Sequence, residues 1–348
     1  MFSQFFNFSF NNWFGYGNYN HEHKNELHHF KEHSFWGPNH HHQWGVHEEA
    51  VDSTSSDSSI IAGTAYSTYL TLDNATVSLS GDGTISQDGV TITHSTGWCG
   101  YSSTYITSDV WNESGYKSVQ IINDDDSIYV NNIVDINIVN ESSTGTDIDL
   151  INVKRATIET GSGDDDINIS VYSNNINWNN TFTISTGDGN DSVVMSDTLN
   201  TKNTSFDVSL GDGRDTLDVS SIDSDSTIDT SRYADGGDGL DTLIFSGQDT
   251  VEFENFEVIK GSDDAGLTID SELLESNDSS YFGLVLSNVD VSFDDSVTVA
   301  DTDDLSWAET AYLCSLGLNA SDYSSLTVTA DDGSTYHLLT DDTDYASA

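Results

Sequence analysis

Four segments of this chain repeat one another in register: TGSGDDDINIS from Thr160, TGDGNDSVVMS from Thr186, LGDGRDTLDVS from Leu210 and GGDGLDTLIFS from Gly236. They share the core Gly-(Ser/Asp)-Gly-x-Asp-x-apolar, and the first core glycines, Gly161, Gly187, Gly211 and Gly237, stand 26, 24 and 26 residues apart. Apolar residues hold station on both sides of each glycine turn. Ile158, Ile184, Val208 and Ala234 precede the glycines by three positions, and Ile167/Ile169, Val193/Met195, Leu217/Val219 and Leu243/Phe245 follow them. A segment of this length cannot bury its apolar face alone, so fixed-period copies bury it by stacking. The spacing predicts an all-β fold, a parallel β-solenoid of about 25 residues per turn.

Stacking would bring the glycine turns into a column, and the column has chemistry. Calcium takes six to eight oxygen ligands. Each turn offers carboxylates, and glycine's freedom at positive φ can turn main-chain carbonyls toward an ion. Asp165, Asp191, Asp215 and Asp241 are the expected carboxylate ligands, assisted by Asp188, Asp212 and Asp238 and by the turn glycines Gly161, Gly163, Gly187, Gly189, Gly211, Gly213, Gly237 and Gly239. Gly and Asp are also favoured in turns that hold no metal, so turn chemistry is the competing explanation.

These four segments resemble the RTX (hemolysin-type) calcium-binding repeat, Gly-Gly-x-Gly-x-Asp-x-apolar-x, of proteins exported by type I secretion. The resemblance implies Ca2+ held between successive turns by backbone oxygens and the repeat aspartate, folding on calcium outside the cell, and an uncleaved C-terminal secretion signal. Two departures are visible: Thr160, Thr186 and Leu210 replace the leading glycine, and the copies are not tandem at nine residues. One calcium column on a wider solenoid is therefore expected, and not a compact two-edged roll.

Charge bears on partners. Lys and Arg number 9 against 59 Asp and Glu, a formal net charge of −50. Nucleic acid is excluded as a partner, because phosphate recognition needs a basic footprint, and no run of about 18 apolar residues offers a membrane span. Bound cations would relieve the self-repulsion of so acidic a chain.

The organisation reads as a His- and aromatic-rich segment 1–50, a Ser/Asp linker 51–59, the solenoid over 60–300, and a C-terminal cap over 301–348 that also carries the candidate secretion signal. The cap is a small helix opened by a Ser306/Glu309 capping box and closed at Gly317, then a hairpin turning at Asp332-Gly333. On the helix Trp307, Ala311 and Cys314 share a face. SGDGTISQDG from Ser80 and INDDDSIYV from Ile122 echo the repeat without its spacing, and are expected to be further turns or a β-rich N-terminal cap.

Nine of the 11 histidines lie before Ala50, where Zn2+, Ni2+ or Cu2+ binding is expected as an alternative to a plain aromatic arm. His29-Phe-Lys-Glu-His33 matches an inverted zincin motif in a region too rich in histidine for the match to carry weight. The start, which has no positive n-region, is not expected to act as a Sec-type leader, and Cys99 and Cys314 are too few for a disulfide framework. No catalytic motif is found, so a non-enzymatic secreted or cell-surface protein is expected, its N-terminal arm meeting the cell surface, a matrix component or a second copy. The alternative is a solenoid enzyme acting on polysaccharide.

Overall fold

A computed structural model describes residues 67–345 apart from short stretches, the longest being 109–116, 172–178, 198–203 and 223–230. The His-rich segment and the linker, with the transition-metal reading attached to them, lie outside the described residues.

The described residues form a β-solenoid of about six turns and about 24 residues per turn. Each turn gives one strand to a nine-stranded sheet and one to a fourteen-stranded sheet, with the core between the two. On the first sheet Arg155–Glu159, Asn180–Gly189, Thr204–Gly213 and Arg232–Gly239 run parallel and set Ile158, Ile184, Val208 and Ala234 side by side. On the second, Asp147–Ile151, Asp166–Val171, Ser192–Asp197, Thr216–Ser221 and Thr242–Phe245 align Ile148, Ile167, Val193, Leu217 and Leu243. All of these are buried. Each inward Ile or Leu contributes roughly 1.5–3 kcal/mol through removal from water, and period-two alternation follows because successive strand residues face opposite sides.

Both ends leave the parallel pattern. Ahead of the first parallel pairs, Ser67–Leu72 lies antiparallel on Lys117–Asn123, and Gly83–Gln87, Val90–Thr96 and Ser102–Ser108 form an antiparallel meander. The Ser80 echo is thus part of a capping hairpin, whereas the Ile122 echo leads into a true turn whose strand Ser127–Asn131 pairs parallel on both sides. At the other end Val297–Asp303, Ser324–Ala330 and Thr335–Thr340 are antiparallel. The hairpin turns at Gly333, φ 87°.

The C-terminal helix spans Trp307–Ser315 with the Ser306/Glu309 capping box in place, and Gly317 follows at φ 76°. Its buried face carries Leu313 with Tyr312 and Leu316. The face shared by Trp307, Ala311 and Cys314 is the exposed one. Cys99 and Cys314 are both free thiols.

Positive φ also recurs outside the glycine motifs: at Asn132 and Asn152 where strands leave the fourteen-stranded sheet, at Asn255 after Glu252–Glu254 of the nine-stranded sheet, and at Asn288 within Leu284–Phe293. Asn132, Asn152, Asn255 and Asn288 all adopt positive φ, 54–61°, a region that Asn tolerates better than other residues with a Cβ. Each precedes a buried apolar residue, Ile133, Val153, Phe256 or Val289. Their amides bind the neighbouring turn: Asn152 donates to Asn132 Oδ1, Asn132 to Ser108 O and Asn288 to Gly261 O.

At the glycine corner Gly187, Gly211 and Gly237 have φ of 94°, 103° and 91°, and a Cβ on Gly211 would collide with the Gly187 carbonyl of the turn before. Gly211→Ala is expected to destabilise the fold by about 2 kcal/mol or more, combining left-handed strain with the clash. Gly317→Ala meets open space and should cost only the strain of about 1–2 kcal/mol. Thermal melts of the two variants check the ordering.

Candidate metal column

The repeat aspartates are buried. Asp165, Asp191, Asp215 and Asp241 are 0–2 % exposed and stack in register, one per turn, because the strands that follow them pair in parallel. One carboxylate oxygen of each is committed to the fold: Asp165 Oδ1 accepts from Thr146 N at 2.7 Å, Asp191 Oδ1 from Asp165 N at 2.8 Å, Asp215 Oδ1 from Asp191 N at 2.7 Å, and Asp241 Oδ1 from Asp215 N at 2.8 Å. Every turn therefore grips the main chain of the turn before it. The second core glycine makes room for this, since a Cβ on Gly189 or Gly213 would lie 2.9 Å from Oδ1 of Asp191 or Asp215.

The other oxygen of each carboxylate has a different standing. Oδ2 of Asp165, Asp191, Asp215 and Asp241 is buried without a hydrogen-bond partner among the described residues. Buried polar groups are ordinarily satisfied, and an unpaired buried charge costs several kcal/mol. Four such oxygens in file are the site's defining feature. Burial pushes Asp165 and Asp215 up to about 6 and Asp241 up to about 7, and it raises Asp191 as well. Neighbouring column charges add to the rise, as Asp191 does at Asp165 and Asp215 does at Asp241. The hydroxyls of Thr160 and Thr186 oppose it at Asp165 and Asp191. Those hydroxyls donate to Thr186 O and Leu210 O, so they temper the charge without satisfying Oδ2.

Asp188, Asp212 and Asp238 also pair in register, but they are exposed on the outside of the turns. The fifteen residues of the motif thus divide into an inner rank of four carboxylates, an outer rank of three, and glycines whose carbonyls approach the next turn, as Gly161 O does at Gly187 and Gly187 O at Gly211. Among the described residues no three His, Cys, Asp or Glu side chains converge. An ion in the column would take one or two carboxylates and draw its remaining oxygens from the main chain or water. Calcium accepts that mixture of donors, and the residues fit it.

The column runs beyond the four motifs. Asp126 Oδ2 accepts from Ser102 N at 2.6 Å, and Glu257 Oε2 accepts from Asp241 N at 2.7 Å. Between Asp126 and Asp165 the position falls to Thr146, whose hydroxyl donates to Asp125 O. Asn140 and Ser142 complete a neutral network there, with Asn140 Nδ2 donating to Asp125 O and Ser142 N to Asn140 Oδ1. Nearby, His94 Nδ1 lies 3.3 Å from Asp125 Oδ2, and the Thr104 hydroxyl donates to the same oxygen. The spacing of the glycine motif could not find these residues; only the strand register reveals them.

No family model, curated protein or solved structure matches this chain.

The raised carboxylates set a pH dependence. A group protonated more readily in the fold than in the unfolded chain favours the fold at low pH and loses that advantage as pH rises through its folded value. Without divalent metal, stability is expected to fall from about pH 4 to about pH 7 as Asp165, Asp215 and Asp241 ionise. Asp241→Asn should flatten the upper part of that slope. Melts between pH 4.5 and 7.5 check it, and a slope unchanged in the variant would assign the pH effect to other groups.

Proposed function

We propose that this chain is a calcium-binding structural protein of the extracellular space or cell surface, in which calcium and folding are one equilibrium. The reading is carried by the four buried, unpartnered carboxylate oxygens of Asp165, Asp191, Asp215 and Asp241. The likeness of the four glycine motifs to the RTX repeat supports it independently, through sequence alone. Asp165, Asp191, Asp215 and Asp241 would hold the ions with carbonyls of the glycine turns, and the outer Asp188, Asp212 and Asp238 add negative potential along the same corner. Calcium supplies positive charge and a coordination shell made of oxygens. The chain's own residues do the rest: Oδ1 fixes each carboxylate by its main-chain bond, so Oδ2 is held ready with little further loss of side-chain freedom.

Extracellular calcium modules work at dissociation constants of about 10⁻⁴–10⁻³ M. Sites made of few carboxylates and many neutral oxygens suit that range, and a formal charge of −50 favours cation uptake. Adhesion or assembly through the N-terminal arm completes the proposal. The spread of basic residues supports a non-enzymatic role over polysaccharide cleavage: Arg155 pairs with Asp135 at 3.1 Å, Arg232 is buried in the core, Arg214 lies in the bend between Thr204–Gly213 and Thr216–Ser221, and Lys260 lies in the strand Val258–Ile269.

Calcium at millimolar concentration is expected to raise the melting temperature at pH 7.5, and chelation to lower it. The double substitution Asp191→Asn and Asp215→Asn keeps size and the oxygen that accepts the main-chain bond while removing charge. Its calcium midpoint for folding should rise several-fold. Coincident midpoints, or a wild-type melt indifferent to calcium, would leave the turns as architecture alone.

A further inference from the structure

The last acid of the column comes from a turn that lacks the glycine motif. Glu257 is 1 % exposed, and its Oε2 makes on Asp241 N the bond that Asp241 makes on Asp215 and Asp215 on Asp191. Its carbonyl accepts from Val285 N at 2.9 Å, continuing the main-chain ladder in which Asp241 O accepts from Val258 N. The turn is tighter, 16 residues separating Asp241 from Glu257 where the motif turns use 24 or 26. It is entered through Asn255 at φ 59°. The extra methylene of glutamate carries its carboxylate to the place an aspartate reaches from the glycine turns. One register step further the chain supplies Leu284, apolar and buried, so the acids end here.

The neighbours of this rung belong to the C-terminal cap. At the position held by Asp164, Asn190 and Arg214 in the other motifs, the last motif has Leu240. Leu240 packs with Val258, Val285, Phe282, Tyr312 and Leu313 in a second apolar cluster, separate from the main core. Leu240 and Val258 are the chain neighbours of Asp241 and Glu257, so the helix Trp307–Ser315 rests on the residues that flank the final two carboxylates. Asp241 is fully buried and keeps an unpartnered Oδ2 at this rung.

We propose that Asp241 and Glu257 share a divalent cation, calcium by its all-oxygen donors, and that this ion ties the C-terminal cap to the glycine turns. The inference rests on the calcium reading and adds to it a ligand, Glu257, that no glycine motif marks. It makes cap docking depend on metal: with the rung loaded the acids no longer repel, and Leu240 and Val258 are held where Leu313 needs them.

The test uses the full chain and its Glu257→Gln variant, with calcium alone as ligand. Bound calcium per chain is counted by equilibrium dialysis, and amide hydrogen exchange is followed with and without the metal. The variant is expected to bind one ion fewer. Calcium-dependent protection of Trp307–Ser315 should fall about tenfold, while Asn180–Gly189 and Thr204–Gly213 keep theirs. Equal ion counts and equal helix protection in the two proteins would overturn the proposal while leaving the calcium reading intact; a wild type that binds no calcium would remove both. Should the variant not fold, exchange on the wild type alone decides, since a helix equally protected with and without calcium contradicts the coupling.

Discussion

Each glycine-motif turn of this solenoid holds the one before it by a bond from carboxylate to main chain, and much of the corner follows from that bond. For Oδ1 of Asp191 to reach the amide of Asp165, the carboxylate must lie inside the corner, against a position where only glycine leaves space. The motif's second glycine and its aspartate are therefore one device. Burying the carboxylate to make the bond also strands its second oxygen, and four strands of the sheet bring four such oxygens into file. A hydrogen bond to a charged group contributes about 1.5–3 kcal/mol, less than the several kcal/mol that an unpaired buried charge costs. Protonation or a counter-charge is what makes up the difference.

The two ends of the column are built differently. Toward the N-terminus the rung position passes to Thr146, and the neutral groups of Asn140, Ser142 and Thr146 do the same work without charge. Toward the C-terminus it passes to Glu257, and then to Leu284 and the apolar cluster of the cap. Charge is thus concentrated in the middle turns, where the glycine motifs lie. Antiparallel strands finish both ends of the fourteen-stranded sheet and the N-terminal end of the nine-stranded one, whose other end is the short parallel strand Glu252–Glu254.

The parallel stacking, the inward apolar columns and the small C-terminal helix with its hairpin were legible because each rests on local chemistry: fixed period, two-residue alternation, a capping box, an Asp-Gly turn. Asp165, Asp191, Asp215 and Asp241 were legible as a set for the same reason. That Asp188, Asp212 and Asp238 face outward was not, because the direction each side chain takes at a bent corner is set by the turn's path and not by the motif spacing. Asp126, Thr146 and Glu257 were hidden for another reason. Their turns use asparagine at positive φ, at Asn132, Asn152 and Asn255, and change length, so no spacing betrays them. Arg232 is a further surprise: it is buried beside Phe206 in the register of a core strand, with its Nε donating to Thr204 O.

The central claim is that the bare oxygens of the column exist to meet cations. Diffraction from crystals grown in calcium, recorded at a wavelength where calcium scatters anomalously, tests it most directly. Anomalous peaks in file beside Oδ2 of Asp165, Asp191, Asp215 and Asp241 are the result the account predicts. A column with no such peaks, its inner oxygens meeting only water or one another's protons, would contradict it.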